Sequence, residues 1–227
     1  MRTIIYIDGY NLYYSRLRNT DYKWLDIKTL FEKFVCHQQE PSSDVVAIKY
    51  FTSYVNAKFA SHGTDSVSSQ SCYTRALESL YPGLVQVEYS KHDFGMGHPM
   101  LYLRPPDRSQ RVEVWEIEEK QTDVHIATQM YRDASRGECD QIVLCSNDSD
   151  LEPPLKYIRQ DFPNIQVGVV IPGKEIPAKE RHRPISGSLS RHAHWTRKVI
   201  KDDELAQSQL PDRVPTRKKP IDKPAYW

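Results

Sequence analysis

Two short apolar runs, residues 3–7 and 141–144, end abruptly in small polar residues and carboxylates. The first stops at Asp8-Gly9, and the second leads through Cys145 into Ser146-Asn147-Asp148-Ser149-Asp150. A run rich in β-branched residues, without alternation, suits a strand buried on both faces of a parallel sheet. A helical signal follows each run. Leu12, Tyr13 and Leu17 come after Asp8, where Gly9 permits a sharp turn. Pro153 and Pro154 stand where a first helical turn tolerates proline. Strand, tight polar turn and helix in succession describe an open α/β sheet, which places its ligands at the carboxyl ends of strands. Asp8, Asp148 and Asp150 occupy that position. Each is also a good helix N-cap, so no single aspartate decides its own role.

The rest of the chain extends the pattern. Residues 44–52, 84–89 and 165–171 read as further strands, and 27–35, 64–81 and 124–131 carry helical spacing. Right-handed crossovers then give a Rossmann-like, three-layer α/β/α fold with a mostly parallel central sheet. Residues 91–111 interrupt it. Gly95-Met96-Gly97-His98-Pro99 predicts a β-hairpin insertion whose second arm is 100–103, with 111–117 alternating like an edge strand. Gly95 and Gly97 make no dinucleotide fingerprint, because no strand–helix pair brackets them and the third glycine is missing. Asp123 falls in the first turn of the helix that ends at Gly137.

At 227 residues the chain is long enough for one domain, residues 1–200, followed by a tail at 201–227. A net charge of +1 selects no partner, but its distribution does. Residues 171–201 hold eight lysines and arginines against Glu175 and Glu180, a balance of +6 that suits a polyanion. The proline-rich tail after Leu205 has a balance of +3 and predicts an extended or disordered basic segment, unless Tyr226 and Trp227 pack it on the body. Four cysteines with no CxxC pair read as small buried hydrophobes. No apolar run approaches membrane-spanning length, so a cytoplasmic protein without a membrane partner is expected.

Asp8, Asp123, Asp148 and Asp150 can share one sheet edge only if a cation or protons offset their repulsion. Oxygen-only donors suit Mg²⁺ or Mn²⁺ rather than zinc. Three segments, Ile7-Asp8-Gly9-Tyr10-Asn11-Leu12, Glu119-Lys120-Gln121-Thr122-Asp123 and Ser146-Asn147-Asp148-Ser149-Asp150-Leu151, resemble in order and spacing the NYN domain. That family is a branch of the PIN-like metal-dependent ribonucleases, and the resemblance covers residues 1–200. It implies that Asp8, Asp123 and Asp148 hold Mg²⁺ or Mn²⁺, that Asp150 completes the acidic ring, and that Asn11 and Asn147 orient ligands or phosphate. It further implies hydrolysis of RNA phosphodiester bonds, leaving 5′-phosphate and 3′-hydroxyl ends. Lys120 matches a family lysine, although Gln121 replaces the glycine that usually follows it. RNA is the expected partner, with Asn147, Arg181, Arg191, Arg197 and Lys198 on its backbone. A homodimer is left open.

Two other readings are kept. Similar sequences are often labelled 6-hydroxy-3-succinoylpyridine monooxygenases of nicotine breakdown, but an NADH-dependent hydroxylase needs a phosphate-cradling glycine loop or a flavin site, and neither is visible here. A non-catalytic RNA-binding module is the other, against which the full set of acids argues.

Overall fold

The computed structural model describes residues 1–174, 187–217 and 219–227, with the backbone alone for 92, 93 and 117–119. Strand β1 (Arg2–Asp8) leads into α1 (Gly9–Leu12), which widens into a π-helical turn at Tyr13–Leu17. Helix α2 (Ile27–Thr29), a π-helical stretch at Leu30–Cys36 and α3 (His37–Gln39) form one rod before β2 (Asp44–Ser53). Next come α4 (Thr64–Leu80), β3 (Val85–Gly97), β4 (Val114–Lys120) and α5 (Thr122–Ser135). Then follow β5 (Gln141–Cys145), a 3₁₀ turn at Ser149–Leu151, α6 (Glu152–Asp161) and β6 (Gln166–Val170). The described chain closes with α7 (Gly187–Arg191), β7 (Trp195–Arg197), α8 (Asp202–Ala206) and the short pair β8 (Arg213–Val214) and β9 (Ile221–Asp222).

The large sheet has the order β4-β3-β2-β1-β5-β6-β7, and every neighbouring pair is parallel except β3 with β4. Six parallel strands between helical layers agree with the three-layer α/β/α expectation. The chain builds outward from β1 to β3 on one side and from β5 to β7 on the other. The order therefore reverses between β1 and β5, the position at which such sheets open a crevice.

Side chains alternate across β1 with the period of two that a strand imposes. Ile5 and Ile7 join Leu30, Phe31 and Leu77 in one core, while Ile4 and Tyr6 join Ile126, Met130, Leu155 and Ile158 in the other. The second layer also buries a polar knot. Asp133 accepts hydrogen bonds from the Tyr6 hydroxyl and from Lys49 Nζ, both at 2.5 Å, and Lys49 reaches Gln129 Oε1 at 2.9 Å. Burial, and then Asp133, raise the Tyr6 hydroxyl well above its ordinary pKa. Cys36, Cys139 and Cys145 are buried free thiols, and burial pushes Cys36 and Cys139 up to about 12.

Two expectations need correction. The insertion is a hairpin, but its arms are the far half of β3 and β4, paired from Lys91↔Lys120 to Gly97↔Val114. Residues 100–103 form no strand, and Met100 has only an isolated bridge to Arg111. Gly97 is the last residue of the first arm, and an added Cβ there would meet Glu116 Oε2 at 2.7 Å. The glycine marks a close approach, not the turn.

The C-terminal segment is packed rather than extended or disordered. Val214 and Ile221 pair across β8 and β9 and are buried in the first core. Trp24 Nε1 donates to Pro211 O at 2.9 Å, and the Trp227 ring lies 6.3 Å from Trp24 and 5.3 Å from Tyr73. A few large apolar residues outweigh the proline-rich composition, since each such burial is worth roughly 1.5–3 kcal/mol.

Candidate active site

Asp8 ends β1 and is 5% exposed. Its Oδ1 accepts the Asn11 N–H at 2.8 Å, capping α1, and its Oδ2 accepts the Ser146 hydroxyl at 3.0 Å. Ser146, one residue past β5, uses the same oxygen to accept the Asp148 N–H at 3.1 Å. Asn11 Oδ1 accepts the Asn147 N–H at 3.1 Å. The loops after β1 and β5 are thus laced together where the strand order reverses. Asp148, partly buried, caps the 3₁₀ turn through the Asp150 N–H at 3.0 Å, and Asp150 is exposed. Cap and site are compatible roles, because a carboxylate has two oxygens and about four acceptor positions.

Asp123 reaches this edge by a different route. Strand β3 overshoots its last parallel pair, Ser53↔Ser90, and β4 returns along the overshoot to end at Lys120. Helix α5 therefore starts at the carboxyl edge and packs against β1, β2 and the Ser149–Leu151 turn. Asp123, partly buried, is its second residue. The four acids share an edge without closing into a ring: among the described residues, no three His, Cys, Asp or Glu side chains come near enough together to hold a metal ion. Carboxylate oxygens are the donors that Mg²⁺ and Mn²⁺ take, and Mg²⁺ keeps several waters and is commonly bound by one or two carboxylates.

Burial, and after it the charge of Asp8, raise the Tyr50 hydroxyl and the Cys145 thiol above their ordinary values. Gly9 is needed for space: an added Cβ would lie 2.6 Å from Tyr50 Cζ and 2.7 Å from Phe51 O. Only a glycine lets α1 start this close to β2. Gln121, by contrast, sits at φ 77°, the left-handed region that costs an ordinary residue about 1–2 kcal/mol. Replacing it with the glycine usual in the family relieves that strain. The Gln121→Gly protein is expected to gain about 1 kcal/mol, read as a rise of roughly 2–4 °C in thermal unfolding. An unchanged or lower Tm would show that the turn is not strained.

The basic segment divides. Arg181 lies outside the described residues, together with Lys179 and Arg183 of the +6 stretch. Arg191 is 71% exposed and 3.6 Å from Glu152, and Lys198 is exposed. Arg197 does not belong to a backbone-binding surface. Its side chain is only 10% exposed, pairs with Glu204 and donates to Phe34 O and Val199 O, so it ties β7 to α8 and the rod. Lys120 is partly buried at the end of β4.

Two participants escaped the sequence reading. Ser146 bridges Asp8 to the Asp148 backbone, and its place at the end of the second apolar run was the available signal. Beside Asp8 there is also a cleft of about 440 Å³ that begins at Gly9 and Tyr10. The Tyr10, Tyr13 and Tyr14 spacing, three and four residues apart on one helical face, was its signature. A second hollow, between α5 and α6, contains none of the strand-end acids.

A three-layer α/β sheet with acids set where its strand order reverses defines a Rossmann-like protein with an acidic strand-end site. The sequence matches the NYN domain over residues 2–183, and the chain belongs to that family, which is a PIN-like nuclease family. It is 37% identical over 243 residues to 6-hydroxy-3-succinoylpyridine 3-monooxygenase HspA of Pseudomonas putida (strain DSM 28022 / S16), covering 100% of this chain and 75% of that protein. Its fold is similar to the crystal structure of VPA0982, a protein of unknown function from Vibrio parahaemolyticus, with a TM-score of 0.51 and 19% identity. That match covers 92% of this chain and 96% of the other.

Proposed function

We propose that this NYN-family protein is a ribonuclease dependent on Mg²⁺ or Mn²⁺ and acting at the carboxyl edge between β1 and β5. One observation carries the reading. The two strand-end loops are tied together through Asp8, Ser146, Asn11 and Asn147, which sets Asp8 and Asp148 on adjoining turns of one edge. Asp8 and Asp148 would hold the cation, and Asp123 and Asp150 would act from the same edge through water. When bound, the cation supplies a more acidic water and offsets negative charge on the scissile phosphate. Ser146 and Asn11 keep the loops in register, so the carboxylates are preorganised before substrate arrives. Lys198 and Arg191 are exposed cations that would take the RNA backbone.

Incubation of labelled single-stranded and structured RNA with the purified protein tests this. Cleavage is expected with Mg²⁺ or Mn²⁺, is expected to stop with EDTA, and should return on adding back the cation. Intact RNA under every metal condition overturns the reading.

The identity to HspA along the whole chain favours a second reading, oxidation of 6-hydroxy-3-succinoylpyridine or a similar ring. Loss of that compound in the presence of NADH, with RNA untouched, would establish it in place of the first.

A further inference from the structure

The cleft beside Asp8 has a chemistry distinct from that of the acidic edge. Aromatic rings dominate its walls: Tyr14, Phe59, His62 and Tyr226 come from α1's π-helical continuation, the loop before α4 and the C-terminal segment. The rings already stack in pairs, His62 on Tyr226 at 4.4 Å between centroids, and Phe59 on Phe94 of the hairpin at 5.0 Å. Positive charge accompanies them. Arg18 sits over the Tyr14 ring at 5.4 Å, and Lys23 over the Tyr226 ring at 5.6 Å. Among the described residues no Asp or Glu side chain lines the cleft, although one is the residue immediately before Gly9. At about 440 Å³ it lies within the range of small-ligand sites.

We propose that this cleft binds a flat heteroaromatic ring carrying an acidic group, stacked among Tyr14, His62 and Tyr226 with its anion toward Arg18 and Lys23. Aromatic side chains accept any planar ring because every base or pyridine has a π-face, and guanidinium and ammonium groups supply the attraction for the anion. Two sources share this chemistry. One is a base of RNA with its phosphate, in which case the assignment rests on the ribonuclease reading and gives it a subsite for an unstacked nucleotide. The other is a free heteroaromatic acid, such as the succinoylpyridine for which HspA is named.

Calorimetry on the full chain in EDTA, which prevents cleavage, separates the cases with two probes: 2-aminopurine riboside 5′-monophosphate and 6-hydroxy-3-succinoylpyridine. The parent protein is expected to bind at least one. Tyr14→Ala and His62→Ala, both at exposed positions, should each weaken that binding roughly 5- to 100-fold, the usual range for losing a stacked ring. Tyr14→Phe keeps the ring and should restore affinity, which separates stacking from a folding defect. Binding of the nucleotide alone assigns the cleft to RNA, and binding of the pyridine alone assigns it to the small molecule. No binding of either probe overturns the proposal, as does equal binding by parent, Tyr14→Ala and His62→Ala. Asp148→Asn keeps the cleft intact, so its probe binding should equal the parent's. A parent that binds a probe yet never cuts RNA therefore refutes the nuclease and leaves the cleft standing.

Discussion

Asp148→Asn is expected to lower metal-dependent RNA cleavage by about a thousandfold while leaving the fold in place. The argument rests on what the substitution spares. Asparagine caps a helical turn about as well as aspartate. The amide oxygen can still accept the Asp150 N–H, which Asp148 Oδ1 now accepts at 3.0 Å. What is lost is one negative charge at the proposed cation site, and several kcal/mol of lost charge stabilisation amounts to about three powers of ten in rate. Asp8→Asn should be as damaging to cleavage, with some loss of stability as well. Its amide nitrogen would have to face either the Asn11 N–H or the Ser146 hydroxyl, and only the hydroxyl can reorient to accept. Asp150→Asn, at an exposed position, should be milder. Single-turnover cleavage in Mn²⁺ with circular dichroism on each variant measures all three. Cleavage by Asp148→Asn at the parent rate would remove the acid edge from the mechanism.

The largest stability effect is expected away from that edge, at Asp133. Asp133→Ala strips the carboxylate from a Lys49 that is 9% exposed and from the Tyr6 hydroxyl, and Gln129 remains as a neutral partner. Breaking a buried pair by removing one side costs about 3–5 kcal/mol, because the remaining charge is stranded. Unfolding in urea should reveal that loss, with Tm lower by roughly 10 °C. Removing both charges, with Lys49→Met added to Asp133→Leu, should recover most of it. A single variant within about 1 kcal/mol of the parent would mean that water or relaxation already satisfies Lys49.

The strands nearest the site were legible because burial on both faces forces a run without alternation, as at Ile4 to Ile7 and Ile142 to Leu144. The aspartates that follow were legible for the same reason, since a polar residue directly after such a run must stand at the sheet edge. Pairing was less legible. Nothing local told whether Gly95 and Gly97 made a turn or an arm, because the arm is set by pairing with Glu116 and Val114 on another strand. Charge counting failed at Arg197 for a related cause. A sum over 171–201 treats an arginine facing solvent and one paired inside with Glu204 alike. Gly9 was noted for its flexibility, although its lack of a Cβ against Tyr50 is what α1 requires. Of the aromatic cleft only the Tyr10, Tyr13 and Tyr14 face was legible, because its other rings come from residues as distant as 59, 62 and 226, and only a fold brings such separations together.

That last separation bears on how the protein is made. Lys23 donates to the Tyr226 carbonyl across 203 positions, and Trp227 packs on Trp24. Contacts so distant along the chain form late, because loop closure must precede any gain from them. A nascent chain that has emerged only as far as residue 200 already carries every strand-end acid but lacks one wall of the cleft. Synthesis therefore supplies the acidic edge before the aromatic receptacle.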